Sequence, residues 1–219
     1  MQRIPEPEVM DDPGQALAYA RADFAGVNQG FVDGLLARFP ELGSALLVDL
    51  GCGPADIPAR LALAAPAVRV VAVDASRPML ALGRVAVMAP AVGGRVTLVC
   101  ARLPALPLAD GSADAVVSNS LLHHLPEPGL LWAAVARLGR PGAVVHVMDL
   151  FRPDSVEDAR AIVEGAAAGE EPLLKQDFFN SLLAAYSPDE VRSQLAAAGL
   201  ERLGCKVVSE RHLLVSGRL

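Results

Sequence analysis

Two carboxylates and two glycines, Asp49, Gly51, Gly53 and Asp74, have the types and spacing of a ligand-binding corner. The first three sit in the run Val48-Asp49-Leu50-Gly51-Cys52-Gly53-Pro54-Ala55-Asp56. That run closes an apolar stretch, Ala45 to Leu50, short enough for one buried strand. Glycines there let the backbone approach a ligand closely. A helix expected from residue 56, with Pro58 in its first turn, aims its unpaired N–H groups at the same place. A carboxylate at the strand end repels a pyrophosphate and suits a ligand bearing an ammonium or sulfonium group. A second apolar run, residues 68–73, ends in Asp74, where an acid can accept both hydroxyls of a ribose. The four residues together predict a site for a nucleoside that also carries positive charge.

Other residues that can do chemistry follow later in the chain. His123 and His124 come just after a strand-like run and are candidates for a general base. Adjacent helical positions diverge, so at most one of the pair is expected to face a pocket. The bland reading is a histidine that packs or caps a short helix. Asp149 ends a later strand, where it either orients a substrate or caps the next turn. Tyr19 is placed to close over a ligand or to join the core, and Asp177-Phe178-Phe179-Asn180 offers a pocket wall through Phe178 and Asn180. Phe178 and Phe179 serve equally well as core. His146 reads as an interior residue, and His212 as either edge or pocket. Cys52 reads as a small residue that fits the glycine loop rather than as a reactive thiol. Cys52, Cys100 and Cys205 have neither disulfide nor zinc spacing, and no metal site is called for.

The elements that must position these residues alternate. Strands are expected near 45–50, 68–73, 95–100, 114–118 and 143–149, with helices near 56–65, 78–88 and 127–139. Such alternation needs crossover connections and a parallel, doubly wound sheet. Pro126 and Pro128 bound the third helix on one side, and Gly139-Arg140-Pro141-Gly142 stops it on the other. Ser155 with Asp158, and Ser187 with Glu190, have capping-box spacing, so helices are expected to start at 156 and 188. Gly199 ends the second of these. Runs at 203–209 and 212–217, turning at Glu210 and Arg211, predict a final antiparallel hairpin. The fold class is α/β, with a doubly wound, mostly parallel, seven-stranded sheet.

The 219 residues are expected to form one domain, 1–219. Two segments exceed a minimal sheet: residues 1–42, with an amphipathic stretch from Ala16 to Phe39, and the long crossover 150–187. Both are expected to fold over the carboxyl edge as an N-terminal helical lid and a substrate lid, or else to cover a sheet face. A net charge of −6, with lysine only at 175 and 206, argues against a large nucleic-acid footprint. No run is apolar enough for a signal-peptide core or a membrane span, which predicts a cytoplasmic protein.

With these residues in view, the chain resembles the class I S-adenosylmethionine-dependent methyltransferases over residues 45–150. Three motifs carry the resemblance: VDLGCGPA at 48–55, VVAVDASRPML at 70–80, and LPALPLADGSADAVVSNSLLHHL at 103–125. The resemblance implies a Rossmann-like methyltransferase fold, S-adenosylmethionine as cofactor and a small-molecule acceptor. It implies that Gly51, Cys52 and Gly53 face the methionine part and that Asp49 meets its ammonium. Asp74 and the adjoining Ala75 would hold the ribose, and Met79 would pack on the adenine. Arg102 and Leu103 would border the adenine's other side, and Asn119 would face the methionine moiety.

Two positions depart from the family pattern. Ala55 stands where many members have a third glycine, a small change. Arg102 stands where an acid often takes the adenine amino group, and arginine cannot accept that bond. A nicotinamide dehydrogenase is disfavoured, because its fingerprint requires glycine where Asp56 stands. The remaining alternatives are an RNA methyltransferase and a methyltransferase-like module that binds the cofactor without turnover.

Overall fold

The computed structural model describes residues 1–6 and 9–219. Five parallel strands carry the site: β1 (Leu46–Leu50), β2 (Arg69–Asp74), β3 (Val96–Cys100), β4 (Ala113–Asn119) and β5 (Gly139–Leu150). The final hairpin is β6 (Gly204–Val207) and β7 (His212–Arg218). β7 inserts between β5 and β6 and runs against both, giving the order β3-β2-β1-β4-β5-β7-β6. The expected seven strands and their hairpin are therefore all present.

The strands are apolar on both faces because both faces are covered. Along the strands, Leu47, Val70, Ala115, Val117 and Val144 join one cluster with Phe31, Leu35 and Leu61. Their neighbours Val48, Val73, Val116 and Val145 join the opposite cluster with Trp132, Val135 and Leu195. The first cluster is completed by α2 (Ala25–Arg38), α3 (Asp56–Ala64) and α4 (Arg77–Val87). The second is completed by α5 (Gly129–Leu138) and α8 (Pro188–Ala197). From β1 the chain works outward through β2 to β3, then returns to β4 on the other side. The carboxyl ends of β1 and β4 thus flank the crevice where ligands of such sheets bind.

Both predicted caps form. Ser155 accepts from the Asp158 N–H at the start of α6 (Val156–Ala166), and Ser187 with Glu190 makes a reciprocal capping box on α8. Three features differ from the sequence reading. The amphipathic stretch from Ala16 to Phe39 is broken: α1 (Pro13–Arg21), capped by Asp12, is followed by a turn and then α2. The long crossover holds a second helix, α7 (Pro172–Ala184), opened by a proline at its first position. β5 begins at Gly139 rather than after Gly142, because Ala113 pairs with Gly139 while Ala115 pairs with Val144, leaving the intervening residues as an irregularity. Among the described residues, no helix is long and apolar enough to cross a membrane.

One close approach locks a helix to the glycine loop. A Cβ added to Gly83, on α4, would lie 3.0 Å from the Pro54 carbonyl carbon and oxygen and 3.1 Å from Ala55 Cβ. Gly34, on α2, has nothing within 4 Å of its added Cβ. Gly34→Ala is therefore expected to raise stability by about 1 kcal/mol through helix propensity alone. Gly83→Ala loses that gain to overpacking of about 1–3 kcal/mol against backbone that cannot swing away. Urea unfolding of the two variants checks this, and equal stabilisation of both would remove the close approach.

Candidate functional site

The corner is built by backbone hydrogen bonds between β1's end and β2's end. Gly51 N–H and Cys52 N–H both donate to the Val73 carbonyl, at 2.8 and 3.0 Å. Gly53 N–H donates to Asp74 Oδ2 at 2.7 Å, and Ser76 N–H to Asp74 Oδ1 at 2.8 Å. Gly51 has φ +74°, and an added Cβ there would meet Leu121 Cβ at 2.9 Å. Only glycine meets both demands at that position. Ala55 adopts the left-handed conformation, φ 59°, immediately before α3. The alanine is thus held where glycine would be relaxed, so it is less innocuous than its size suggests. Ser120, just after β4, is also left-handed at φ 56°.

A cavity of about 760 Å³ opens over this corner and extends to the turn after β4. That size suits a ligand of cofactor dimensions with room beside it. Asp49, Gly51, Cys52, Gly53, Asp74 and Ala75 line its floor. Met79, Arg102 and Leu103 line one end, with Asn119 beside β4. The N-terminal residues Met10, Leu17 and Tyr19 wall it, as do Leu174, Asp177, Phe178 and Ser181 of α7. Tyr19 packs its ring 4.8 Å from Phe24 across the break between α1 and α2. Its hydroxyl is pushed up to about 12 by burial, with Asp74, Asp149 and Asp56 adding to the effect.

Electrostatics distinguish the acids. Asp49 is 2% exposed, and burial, with the nearby Asp74, pushes its carboxyl up to about 8. Asp74 is raised by burial too, but the N–H groups of Ser76 and Gly53 pull it back. Asn119 Oδ1 is buried with no hydrogen-bond partner, a feature that points to a ligand donor. These are the demands of a cation: a buried acid that ionises reluctantly and an orphaned acceptor on the same cavity. The residues fit the ammonium and sulfonium of the expected cofactor, and Asp74 keeps lone pairs for ribose hydroxyls after its two backbone bonds.

The second chemical centre is the histidine pair. A short 3-10 turn, Leu122–His124, brings both rings to the cavity, stacked 4.2 Å apart, so the expectation that at most one would face it is overturned. Successive residues of such a turn stand about 120° apart, so the breadth of the cavity, not the winding, is what reaches both. His123 is 3% exposed, and its Nδ1 lies 2.5 Å from Asp149 Oδ1. Asp149 Oδ2 accepts the Leu122 N–H at 2.7 Å. Asp149 therefore stands behind His123, away from the cavity wall. Burial works against a charged His123, but Asp149, by charge and hydrogen bond, and Glu6 outweigh it and raise its pKa.

Asn180 does not belong to the site. It accepts from Gln176 Nε2 at 2.9 Å along the exposed side of α7 and does not line the cavity. Phe178 does line it, while Phe179 packs with Leu182 and Val163. His146 is interior, 3.2 Å from Ser216 Oγ, and burial with Arg38 lowers it to about 4. His212 lines the cavity and is likewise lowered to about 4, by burial and then Arg211.

Sequence reasoning missed Glu6, whose Oε1 lies 3.5 Å from His123 Nε2 and 3.3 Å from His124 Nδ1. Nothing near Glu6 in sequence marks it. It arrives because Arg3 donates to the His123 and Leu125 carbonyls and stacks 4.1 Å over the Tyr186 ring. Glu6, His123 and His124 place their donor atoms within 4.8 Å of one another, a composition that also suits a metal.

Comparisons with known proteins converge on this reading. A family model described as a methyltransferase domain matches residues 48–147. A trans-aconitate 2-methyltransferase of Azoarcus sp. strain BH72 is 37% identical over 113 residues, 52% of this chain and 42% of that protein. The chain thus spans less than half the length of that relative. An uncharacterized methyltransferase of Mycobacterium tuberculosis strain H37Rv is 28% identical over 179 residues, 78% of this chain and 88% of its own. Among solved structures, a SAM-dependent methyltransferase from Aquifex aeolicus superposes with a TM-score of 0.70 at 17% identity, covering 94% of this chain and 98% of that one. The last likeness establishes the fold.

Asp49 carries a consequence for the ligand-free protein. The folded acid keeps its proton to about 8, whereas its ordinary value is 3.8. The folded state therefore binds more protons than the unfolded one between those values, and this contribution to stability falls as pH rises. Asp49→Asn is expected to flatten that fall. Thermal midpoints measured across the same pH window test it, and identical pH slopes for the two proteins would contradict the burial argument.

Proposed function

We propose, from the match of residues 48–147 to a methyltransferase domain, that the chain is a class I S-adenosylmethionine-dependent methyltransferase that methylates a small-molecule acceptor, with His123 as general base. The observation that carries the proposal is one continuous cavity, floored by Asp49 and Asp74 and ended by the histidine pair. When bound, S-adenosylmethionine supplies a methyl group already activated on a sulfonium, so much of the protein's task is alignment and exclusion of water. Asp74 is the residue to hold the ribose, and Asp49 with Asn119 Oδ1 the residues to meet the ammonium end. Met79 and Leu103 supply apolar walls at the adenine end.

Asp149 gives His123 its direction. The carboxylate takes the hydrogen on Nδ1, which leaves Nε2 as the nitrogen that accepts a proton from an attacking O–H or N–H. The N-terminal segment and α7 act as the walls that exclude water from this end. A small acceptor is favoured because both walls are already tied together: Gln15 Nε2 donates to Asp177 Oδ2 at 3.0 Å, and Ser181 Oγ to Glu6 Oε1 at 3.0 Å. Similarity to trans-aconitate 2-methyltransferases makes small carboxylates the first acceptors to screen, with the arginines on the cavity wall, Arg21, Arg60, Arg102 and Arg211, as the cations to meet them.

Two measurements follow. Asp74→Ala removes charge-assisted bonds of about 1.5–3 kcal/mol each. S-adenosylhomocysteine binding, followed by calorimetry, should weaken by at least about tenfold, and unchanged affinity would misplace the ribose. His123→Ala should keep that binding yet lose about 10²–10⁴ in turnover of whichever small acceptor takes up labelled methyl. Undiminished turnover across a pH series would remove His123 as base. Methyl uptake only by tRNA, bound in a salt-sensitive way, would favour the nucleic-acid reading instead.

A further inference from the structure

We propose that Glu6, delivered by the N-terminal segment, is a positioning residue that holds a proton at Nε2 of His123 and so gates its use as a base. The inference rests on the proposed role of His123, but its central claim concerns where a proton sits and needs no turnover to be examined.

The argument begins with hydrogen-bond valence. Asp149 Oδ1, 2.5 Å from Nδ1, fixes a hydrogen on that nitrogen. A neutral imidazole then presents a bare lone pair at Nε2. Glu6 Oε1 faces that lone pair at 3.5 Å. The same oxygen accepts from Ser181 Oγ at 3.0 Å, so it is held in place rather than swinging in solvent. Two lone pairs so placed repel, and a proton on Nε2 or on Oε1 turns the repulsion into attraction, with His124 Nδ1, 3.3 Å from the same oxygen, as the competing donor. In either case Nε2 has no capacity for the acceptor's proton until that proton has gone.

The surroundings favour the proton. Asp149 faces His123 from β5, Glu6 from the N-terminal segment, and His124 stacks beside it on the 3-10 turn. Arg3, on the same segment as Glu6, opposes a positive His123, as does burial itself. Asp177, from α7, and Asp149 both disfavour a charged Glu6. One proton shared between Glu6 Oε1 and His123 Nε2, with Asp149 holding the hydrogen on Nδ1, meets these demands. The segment that brings Glu6 is anchored on both sides of it. Arg3 and the Ile4 N–H bind carbonyls on and beside α7, and the Met10 carbonyl accepts from Ser76 Oγ at the cap of α4.

The gate is read by two probes on the full chain, wild type and Glu6→Gln. Glutamine keeps the shape and removes the charge. Nuclear magnetic resonance of the histidine ring nitrogens should show His123 titrating about one pH unit lower in the variant, the scale expected for loss of an adjacent opposite charge. The acid limb of kcat/KM should move by the same interval, giving about a tenfold gain at about pH 6. Ser181→Ala, which frees the Glu6 carboxylate, should shift His123 in the same direction. A lower titration with an unmoved acid limb supports the proton at Glu6 and overturns His123 as the base. An unmoved titration in both folded variants overturns the role of Glu6 whatever turnover does. One equivalent of tightly held zinc in the purified protein also overturns it, since a metal would then stand where the proton is placed.

Discussion

The carboxylate of Asp74 is the tie on which the site depends. Its two oxygens accept from Gly53 and Ser76, and so fasten the loop after β1 to the turn that starts α4. The Val73 carbonyl, one residue earlier, takes both the Gly51 and Cys52 N–H groups. β2 thus ends in two residues that each accept from the loop of the neighbouring strand. Ser76 continues the chain of ties. Its hydroxyl caps the Met79 N–H and reaches the Met10 carbonyl, so the wall contributed by the N-terminal segment is registered to the same carboxylate. A ligand that engages Asp74 therefore meets a group already oriented by backbone, which costs little ordering on binding.

The acids lining and backing the cavity are balanced in different ways. Asp149 is buried at 1% exposure, yet it has a histidine on one oxygen and a backbone N–H on the other. Its charge is met within the fold. Asp49 is as deeply buried and is pushed to about 8, because desolvation is reinforced by Asp74 rather than relieved. Among the described residues, no histidine or other cation offsets it as His123 offsets Asp149. An uncompensated acid of this kind is a standing demand for external positive charge. The chemistry of the family's cofactor, cationic at both its ammonium and its sulfonium, is the complement of that demand.

Much of this was legible in sequence because it depends on short-range grammar. Strand period, glycine placement and caps such as Ser187 with Glu190 are set by residues a few positions apart, and the elements they mark, apart from the early start of β5, stand within about two residues of expectation. The glycine loop and Asp74 were legible for a second reason: parallel strands place their carboxyl ends side by side. What was not legible came from longer range or from softer signals. α7 has only its leading proline as a start signal, and its pattern of Phe178, Phe179, Leu182 and Leu183 serves a helix or a wall equally well. Asn180 was misplaced in consequence, since the helix turns it away from Phe178. The histidine pair was read as diverging to different surroundings, whereas one cavity reaches both residues of the 3-10 turn.

Glu6 is the sharpest case of information absent from local sequence. It lies more than a hundred residues from the histidines, and its neighbours carry no periodicity or motif. Its position is settled by Arg3, whose planar guanidinium meets carbonyls on the 3-10 turn and beside α7 while stacking on Tyr186. That side chain is spent on backbone acceptors rather than on any carboxylate, so charge pairing could not have revealed it. The consequence is physical. An acid arriving on an extended segment is attached less rigidly than one on a strand, and withdrawing it costs a few hydrogen bonds instead of a core rearrangement. A fold that carries Asp49 and Asp74 on strands and Glu6 on a strap holds two of these acids fixed and leaves the third easier to move.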